Sequence, residues 1–309
     1  MGKINSTPPR AVLDLGTNST RFLLARPTDD KFDLADVVCR GSRVTRLGEG
    51  VDDEGRLSPR AIERVLAAVE DYDRQVKAEA GNWAGAIATS ACRRVKNSDT
   101  LLEEVEKIIG CSPEIISGQQ EAALIYKGVK ASLPLASEGV VADIGGGSTE
   151  IINYEAGEIV NLESFPVGVV SLREKCVAGQ RWEKKMTTCV LKQLKTVFSG
   201  SDFNKNRLYV AGGTGTTLAA LKLELEEYDP NLVHGEHILI EQLRSIRSRL
   251  EALTFKEIAR LPQIMTGRED VIIPGLYILE KIIDRSAAKE AIVSDVGILI
   301  GLLIESATK

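Results

Sequence analysis

Histidine, aromatic residues and long apolar runs are scarce in this chain of 309 residues. Only two histidines are present, His234 and His237, which excludes a three-histidine metal site and a helical H-E-x-x-H. Aromatics are 5%, too few for the stacking platforms that hold single-stranded nucleic acid. Lys+Arg 39 against Asp+Glu 44 gives a net charge of −5, so no overall basicity points to nucleic acid, although a local basic groove stays open. No apolar run approaches the ~20 residues of a membrane helix. The N-terminal M-G-K-I-N-S-T-P-P-R lacks the apolar core of a secretion signal, and the expected compartment is the cytoplasm. Five cysteines (Cys39, Cys92, Cys111, Cys176, Cys189) form no C-x-x-C. They are read as reduced structural thiols rather than a disulfide framework or a zinc site. The composition that remains, 43% hydrophobic and 27% charged, is that of a globular protein of about two domains.

An internal repeat organises the chain. Residues 11–24, A-V-L-D-L-G-T-N-S-T-R-F-L-L, and residues 140–153, V-V-A-D-I-G-G-G-S-T-E-I-I-N, match at Val12/Val141, Asp14/Asp143, Gly16/Gly145, Ser19/Ser148 and Thr20/Thr149. Each is an apolar strand ending in an acid, a Gly/Ser/Thr turn, and a second apolar strand, so two related halves are expected. Residues 32–40 read as a further strand. A long helix follows, with Ser58 as N-cap and Pro59 at its first position. Strands at 84–91 and 113–117 flank a helix at 100–109 closed by Gly110. The second half continues with a strand at 157–165 and helices near 168–176 and 183–198. A strand, glycine turn and helix span 206–221, a mostly helical stretch covers 236–283, and a short strand leads into an apolar helix over 291–304. Interleaved strands and helices make the class α/β. The domains are placed at 1–125 and 126–294, with 295–309 as a candidate member of the first.

Three consecutive glycines in D-I-G-G-G-S-T-E (143–150) let backbone N–H groups approach an oxyanion, and Ser148 and Thr149 add hydroxyls. A tight hairpin accounts for one glycine more readily than for three. Gly145, Gly146, Gly147, Ser148 and Thr149 are therefore candidate phosphate ligands. So are Gly16, Thr17, Asn18, Ser19 and Arg21 in the first copy. The turn in A-G-G-T-G-T-T (211–217), with Gly213 and Thr214, precedes a helix whose dipole also favours an anion. The lysine of a Walker loop is absent. Carboxylates beside phosphate call for a cation, so Asp14, Asp143 and Glu150 are candidate ligands of Mg²⁺. Asp14 as a turn-capping acid and Glu150 as a surface acid remain alternatives.

These motifs, with R-L-G-E-G (46–50), A-T-S-A-C-R (88–93), I-I-S-G-Q-Q-E-A (115–122), V-H-G (233–235) and I-P-G (273–275), resemble the exopolyphosphatase / guanosine pentaphosphate phosphohydrolase family along nearly the whole chain. The resemblance implies two actin-like (ribonuclease H-like) domains with a cleft between them, in the superfamily of actin, hexokinase and heat-shock ATPases. It makes Glu121, in the family's S-G-x-E-E-A motif, the catalytic base and Arg93 a phosphate contact. Two departures stand out: Gln120 replaces the first glutamate of that motif, and Leu299 and Ile300 replace a charged pair. Arg40, Arg43, Arg46, Arg94 and Lys96 are candidates to line a polyanion channel, or an ordinary solvated face. The chain is similar to the short two-domain members.

The implied activity is Mg²⁺-dependent hydrolysis of the terminal phosphoanhydride of linear polyphosphate. Guanosine pentaphosphate is the closest alternative substrate. An acceptor kinase and a non-catalytic alarmone or phosphate sensor are the rivals from other classes. No nucleic-acid or membrane partner is expected. The apolar C-terminal helix and Ile272–Leu279 suit either a homodimer face or core packing.

Overall fold

The computed structural model describes residues 8–26, 31–51, 54–199 and 203–307. The first seven residues of the N-terminus, where no secretion signal is expected, lie outside the described residues. The chain divides into two compact units: the chain up to Ser132 together with Ile298 onward, and Leu133–Gly297.

The first unit begins with a meander, β1 (Arg10–Leu15), β2 (Ser19–Ala25) and β3 (Val37–Val44), antiparallel throughout. Helix α1 (Pro59–Ala78) follows, then β4 (Asn82–Ala88) parallel to β1, α2 (Ser90–Arg93), α3 (Ser98–Ile109), β5 (Glu114–Ile115) parallel to β4, and α4 (Gly118–Ser132). The sheet order is β3-β2-β1-β4-β5. The strand expected from residue 32 starts only at Val37. Asp33 instead caps a single 3-10 turn, its carboxylate accepting from the Ala35 N–H at 2.9 Å, and this local bond competes with the ladder.

The second unit repeats the plan. A meander of β6 (Glu138–Ile144), β7 (Thr149–Glu155) and β8 (Glu158–Phe165) leads to α5 (Val169–Cys176) and α6 (Lys184–Val197). Then come β9 (Leu208–Ala211), α7 (Gly212–Lys222), α8 (Pro230–Val233), β10 (His237–Leu239), α9 (Ile240–Glu251), α10 (Phe255–Ile258), α11 (Ile272–Arg285) and β11 (Glu290–Val293). The order is β10-β11-β9-β6-β7-β8, with β9 parallel to both β6 and β11. Strands β8-β7-β6-β9-β11 thus reproduce β3-β2-β1-β4-β5. The chain returns to the first unit as α12 (Ile298–Ala307).

Each unit has its own core. In the first, α1 is capped by the Ser58 hydroxyl, which accepts from the Ala61 N–H at 3.2 Å. Its buried Ala61, Val65, Val69, Tyr72 and Val76 follow helical spacing. Tyr72 stacks on Phe22 at 4.4 Å between ring centres, and its hydroxyl donates to the Thr20 carbonyl at 3.1 Å. Helix α4 runs unbroken through residue 125, with Leu124, Ile125 and Val129 buried. Helix α12 is held by Arg10, which donates to the Ser306 carbonyl at 2.7 Å. Gly301 has the Leu124 carbonyl in the space a side chain would take. In the second unit Phe165, Phe198 and Phe203 meet edge to face, and Trp182 stacks on Tyr277. Ile272, Ile273, Leu276, Ile278 and Leu279 are buried here, and Ile298, Ile300, Leu303 and Ile304 are buried in the first unit. The apolar runs considered for a dimer face are thus largely buried within their own units.

One reading of the cysteines is corrected. Cys176, at the end of α5, and Cys189, in α6, form a disulfide across 13 residues of sequence; Cys39, Cys92 and Cys111 are free. Two helices joined by a short connection bring the pair together, a proximity that no Cys spacing rule signals. The buried Cys92 thiol is pushed up to about 12, first by burial, then by the charge of Asp14, with Arg93 opposing. It is a structural thiol.

Denaturing alkylation of the unreduced protein is expected to label three cysteines, and five after reduction. Cys176→Ser should lower the urea midpoint of the second unit by the equivalent of roughly 2–4 kcal/mol. Five labelled cysteines without reductant would refute the pairing.

Candidate active site

In the first unit, Asp14 on β1 lies directly opposite Arg21 on β2. Arg21 donates to Asp14 Oδ2 through Nε at 2.9 Å and Nη2 at 2.6 Å. Between them the turn closes with the Gly16 N–H donating to the Ser19 carbonyl at 3.1 Å. A side chain at Gly16 would lie 2.8 Å from that oxygen, so glycine is required by closure, and its N–H is not available to phosphate. The other predicted groups remain. Among the described residues, Asp14 Oδ1, Thr17 Oγ1 and Asn18 Oδ1 are buried with no hydrogen-bond partner, and Ser19 is buried beside them. Unpartnered buried polar atoms are costly, and three in one turn point to a ligand or ordered water there.

Arg93 and Glu121 meet. Arg93 ends α2, directly after β4; Glu121 lies in the first turns of α4. Arg93 Nη1 donates to Glu121 Oε2 at 2.7 Å and to the Ile116 carbonyl at 2.8 Å. Among the described residues no protein group takes its Nε or Nη2, which leaves a fork edge suited to an anion. The start of α4 is fixed by a capping box. The Gln120 N–H donates to Ser117 Oγ at 3.2 Å, and the Ser117 N–H donates to Gln120 Oε1 at 2.8 Å. Glutamine fills this position as glutamate does, so the Gln120 departure leaves the placement of Glu121 intact.

The second turn has the same closure: the Gly145 N–H donates to the Ser148 carbonyl at 3.0 Å. Here too the glycine nearest the strand serves the turn. Thr149 is corrected as a phosphate donor, because its hydroxyl donates to the Val167 carbonyl at 2.6 Å inside the core. Gly146, Gly147 and Ser148 stay at the turn, roofed by the start of α5. The Val169 N–H donates to the Gly145 carbonyl at 3.0 Å, and the Val170 N–H to the Gly146 carbonyl at 2.8 Å. Gly168 permits this approach; a side chain there would lie 2.5 Å from the Gly146 backbone.

The expected glycine turn at 211–217 is instead the first turn of α7, which begins at Gly212 directly after β9. Glycine's low helix propensity suggested a loop; packing overrides it. No side chain caps α7, so its first N–H groups are left for an anion. Gly212, at φ +83°, lets the Asp143 carboxylate lie against its Cα. Thr214 is buried where Gly275 of the I-P-G motif makes room for its side chain. Sequence reasoning missed Arg268. Its guanidinium occupies the space beside Gly213, and its Nη1 donates to the Gly213 carbonyl at 3.2 Å. Fifty-odd residues of sequence separate the two, and no motif links them.

Asp143 and Glu150 are direct cross-strand partners, both buried, and Glu150 Oε1 accepts from the Ser164 hydroxyl at 2.8 Å. Among the described residues no three His, Cys, Asp or Glu side chains form a metal-holding group. Mg²⁺ does not need three, since it keeps several waters and takes one or two carboxylates plus phosphate oxygens. Two facing buried carboxylates, like the partnerless Asp14 Oδ1, fit such a cation. The other arginines are partly anchored: Arg43 pairs with Asp71, Arg94 Nε donates to the Ser90 carbonyl, and Arg46 pairs with Glu49 at 3.2 Å.

The fold defines an α/β protein of the actin-like (ribonuclease H-like) class with the same Gly/Ser/Thr turn after the first strand of each unit. The Ppx/GppA phosphatase family model matches residues 25–309, and the chain belongs to that family. It is 32% identical to Exopolyphosphatase 2 of Mycobacterium tuberculosis over 96% of this chain and 98% of that one. The crystal structure of the Aquifex aeolicus Ppx/GppA family member superposes with a TM-score of 0.81 at 29% identity, covering 97% of this chain and 98% of that one. An exopolyphosphatase from Cytophaga hutchinsonii shares the fold, with a TM-score of 0.88 at 22% identity, covering 97% and 98%. The protein is accordingly a phosphatase-family hydrolase. Among the described residues no helix is long and apolar enough to cross a membrane.

Gly168→Ala is expected to push α5 off the 145–148 turn and to destabilise the second unit by about 1–3 kcal/mol through overpacking. Chemical denaturation followed by Trp182 fluorescence reads this. An unchanged midpoint would show that the turn gives way freely.

Proposed function

We propose that the protein is an exopolyphosphatase that hydrolyses the terminal phosphoanhydride of linear polyphosphate with the help of Mg²⁺. The observation that supports it best is the Arg93–Glu121 pair. A carboxylate able to take a proton is held by an arginine that still has an edge for phosphate. Glu121 orients a water on the terminal phosphorus and accepts its proton. The water oxygen bonds to phosphorus as the bridging P–O bond breaks. The electron pair leaves on the shortened chain, and orthophosphate is released. In the first unit, Arg93 and Arg21 offset charge on a bound phosphoryl group, the Thr17 hydroxyl holds a phosphate oxygen, and Asp14 is the candidate cation ligand. In the second unit, the hydroxyls of Ser148 and Thr214, the amides of Gly146 and Gly147, the start of α7 at Gly213 and the Arg268 guanidinium hold phosphate oxygens, and Asp143 and Glu150 would hold a cation, which supplies charge neutralisation on those oxygens.

Glu121→Ala should fold and bind tripolyphosphate, with turnover down by about 10²–10⁴. Wild-type turnover in that variant would remove Glu121 as the base. Excess chelator should stop orthophosphate release, and undiminished release would remove the metal from the scheme. The same assay on polyphosphates of defined length and on guanosine pentaphosphate decides the substrate; faster release from the nucleotide would overturn the polyphosphate reading.

A further inference from the structure

The phosphate turn of the first unit is braced by the segment just after β3. The Thr45 and Arg46 N–H groups both donate to the Asn18 carbonyl, at 3.0 and 2.9 Å, and the Gly48 N–H donates to the Thr17 carbonyl at 3.0 Å. The buried hydroxyls of Thr20 and Thr45 meet at 2.9 Å. Gly48 permits the approach, since a side chain there would lie 2.6 Å from Thr17 Cγ2. This bracket contains Arg46 at φ 47°, a left-handed conformation that a non-glycine residue adopts only when its surroundings hold it there.

What holds it is Arg64 on α1. Arg64 Nε donates to the Thr45 carbonyl at 2.7 Å, and Nη2 donates to the Arg46 carbonyl at 3.1 Å. Nη2 also reaches Glu49 Oε2 at 3.4 Å, while Arg46 Nη1 donates to Glu49 Oε1 at 3.2 Å. One planar fork therefore grips the carbonyls of the two peptides that flank the strained residue and a carboxylate that bridges two guanidiniums. An ammonium cannot reproduce that geometry.

We propose that Arg64 is a positioning residue for phosphate binding, acting through the 45–49 bracket on Thr17 and Asn18. It rests on the phosphate reading of that turn given above. The bracket fixes the two carbonyls of the turn, and with them the direction of the Thr17 hydroxyl and of the Asn18 carboxamide, the groups able to donate to phosphate.

The test uses the full chain and tripolyphosphate. Arg64→Ala is expected to raise KM and Kd about tenfold, the size of one charged hydrogen bond, with kcat within about threefold of wild type. Arg64→Lys should not rescue it. Glu49→Gln, which leaves both carbonyl bonds in place, should raise KM less. A fall in kcat at unchanged KM, full rescue by lysine, or an equal effect of Glu49→Gln would each overturn the proposal. Amide hydrogen exchange without ligand is the second readout. In Arg64→Ala, Thr45, Arg46, Gly48 and Gly16 should exchange faster while α3 and α11 do not change; unchanged exchange at those four amides also overturns it. A wild-type chain that ignores tripolyphosphate would sink the functional reading, and the exchange result would still decide the bracket.

Discussion

A carbonyl oxygen lies 2.8 Å from where a side chain at Gly16 would begin, and 3.0 Å from where one at Gly145 would. In each copy the N–H of that glycine donates to the serine carbonyl three residues on. The chain can reverse this tightly only because no Cβ intervenes. From that closure follows the register that sets the strand-ending acid opposite the residue seven positions later, Arg21 in one unit and Glu150 in the other. Both turns are then roofed by the segment that leaves the third strand of the meander, and both roofs need a glycine at the point of contact, Gly48 over Thr17 and Gly168 over Gly146. The roofs differ in kind. The first is an extended bracket gripped by a side chain from α1; the second is the start of a helix.

The two copies handle buried negative charge differently. Asp14 is ion-paired internally with Arg21, which uses Oδ2; among the described residues Oδ1 has no hydrogen-bond partner. Asp143 faces another carboxylate, Glu150, and a helix start that lacks a capping side chain. Two adjacent buried carboxylates repel unless a cation or proton intervenes. The second unit is therefore the one whose chemistry calls most strongly for a metal, and Arg268 near Gly213 adds positive charge on the helix side. The turn is common to both units; the residue across the strand from the acid, Arg21 in one and Glu150 in the other, separates their electrostatics.

Much of this was legible in the sequence. The repeat of acid, glycine and serine was visible because hairpin closure constrains local residue types, and the order of strands and helices followed from periodicity. The role of each polar atom was less legible. Thr149 reads as a phosphate donor until its hydroxyl is seen on the Val167 carbonyl. Gly16 and Gly145 read as amide donors until their N–H groups are seen closing the turn. The glycines of 212–215 look like a loop on propensity alone, yet they start α7, because the close approaches of Asp143 to Gly212 and Arg268 to Gly213 require residues without side chains. Arg64, Arg268 and the Cys176–Cys189 pair depend on tertiary proximity, which no local pattern encodes.

The departures from the family pattern separate what the chemistry demands from what the scaffold demands. Position 120 needs an acceptor for the Ser117 N–H, and a carboxamide oxygen serves as well as a carboxylate. Its charge is dispensable to the cap, whereas the carboxylate of Glu121, one residue on, pairs with Arg93. At the other end of the same helix system, Ile300 is buried and Gly301 lies against the backbone of Leu124. Here α12 packs on α4 through the close approach at Gly301 and a Lys127–Glu305 ion pair at 3.5 Å. Both positions contact α4 or its cap, and α4 is the element that carries Glu121. A scaffold can change its means of anchoring that helix freely, provided that the carboxylate it presents stays beside a guanidinium with one edge open.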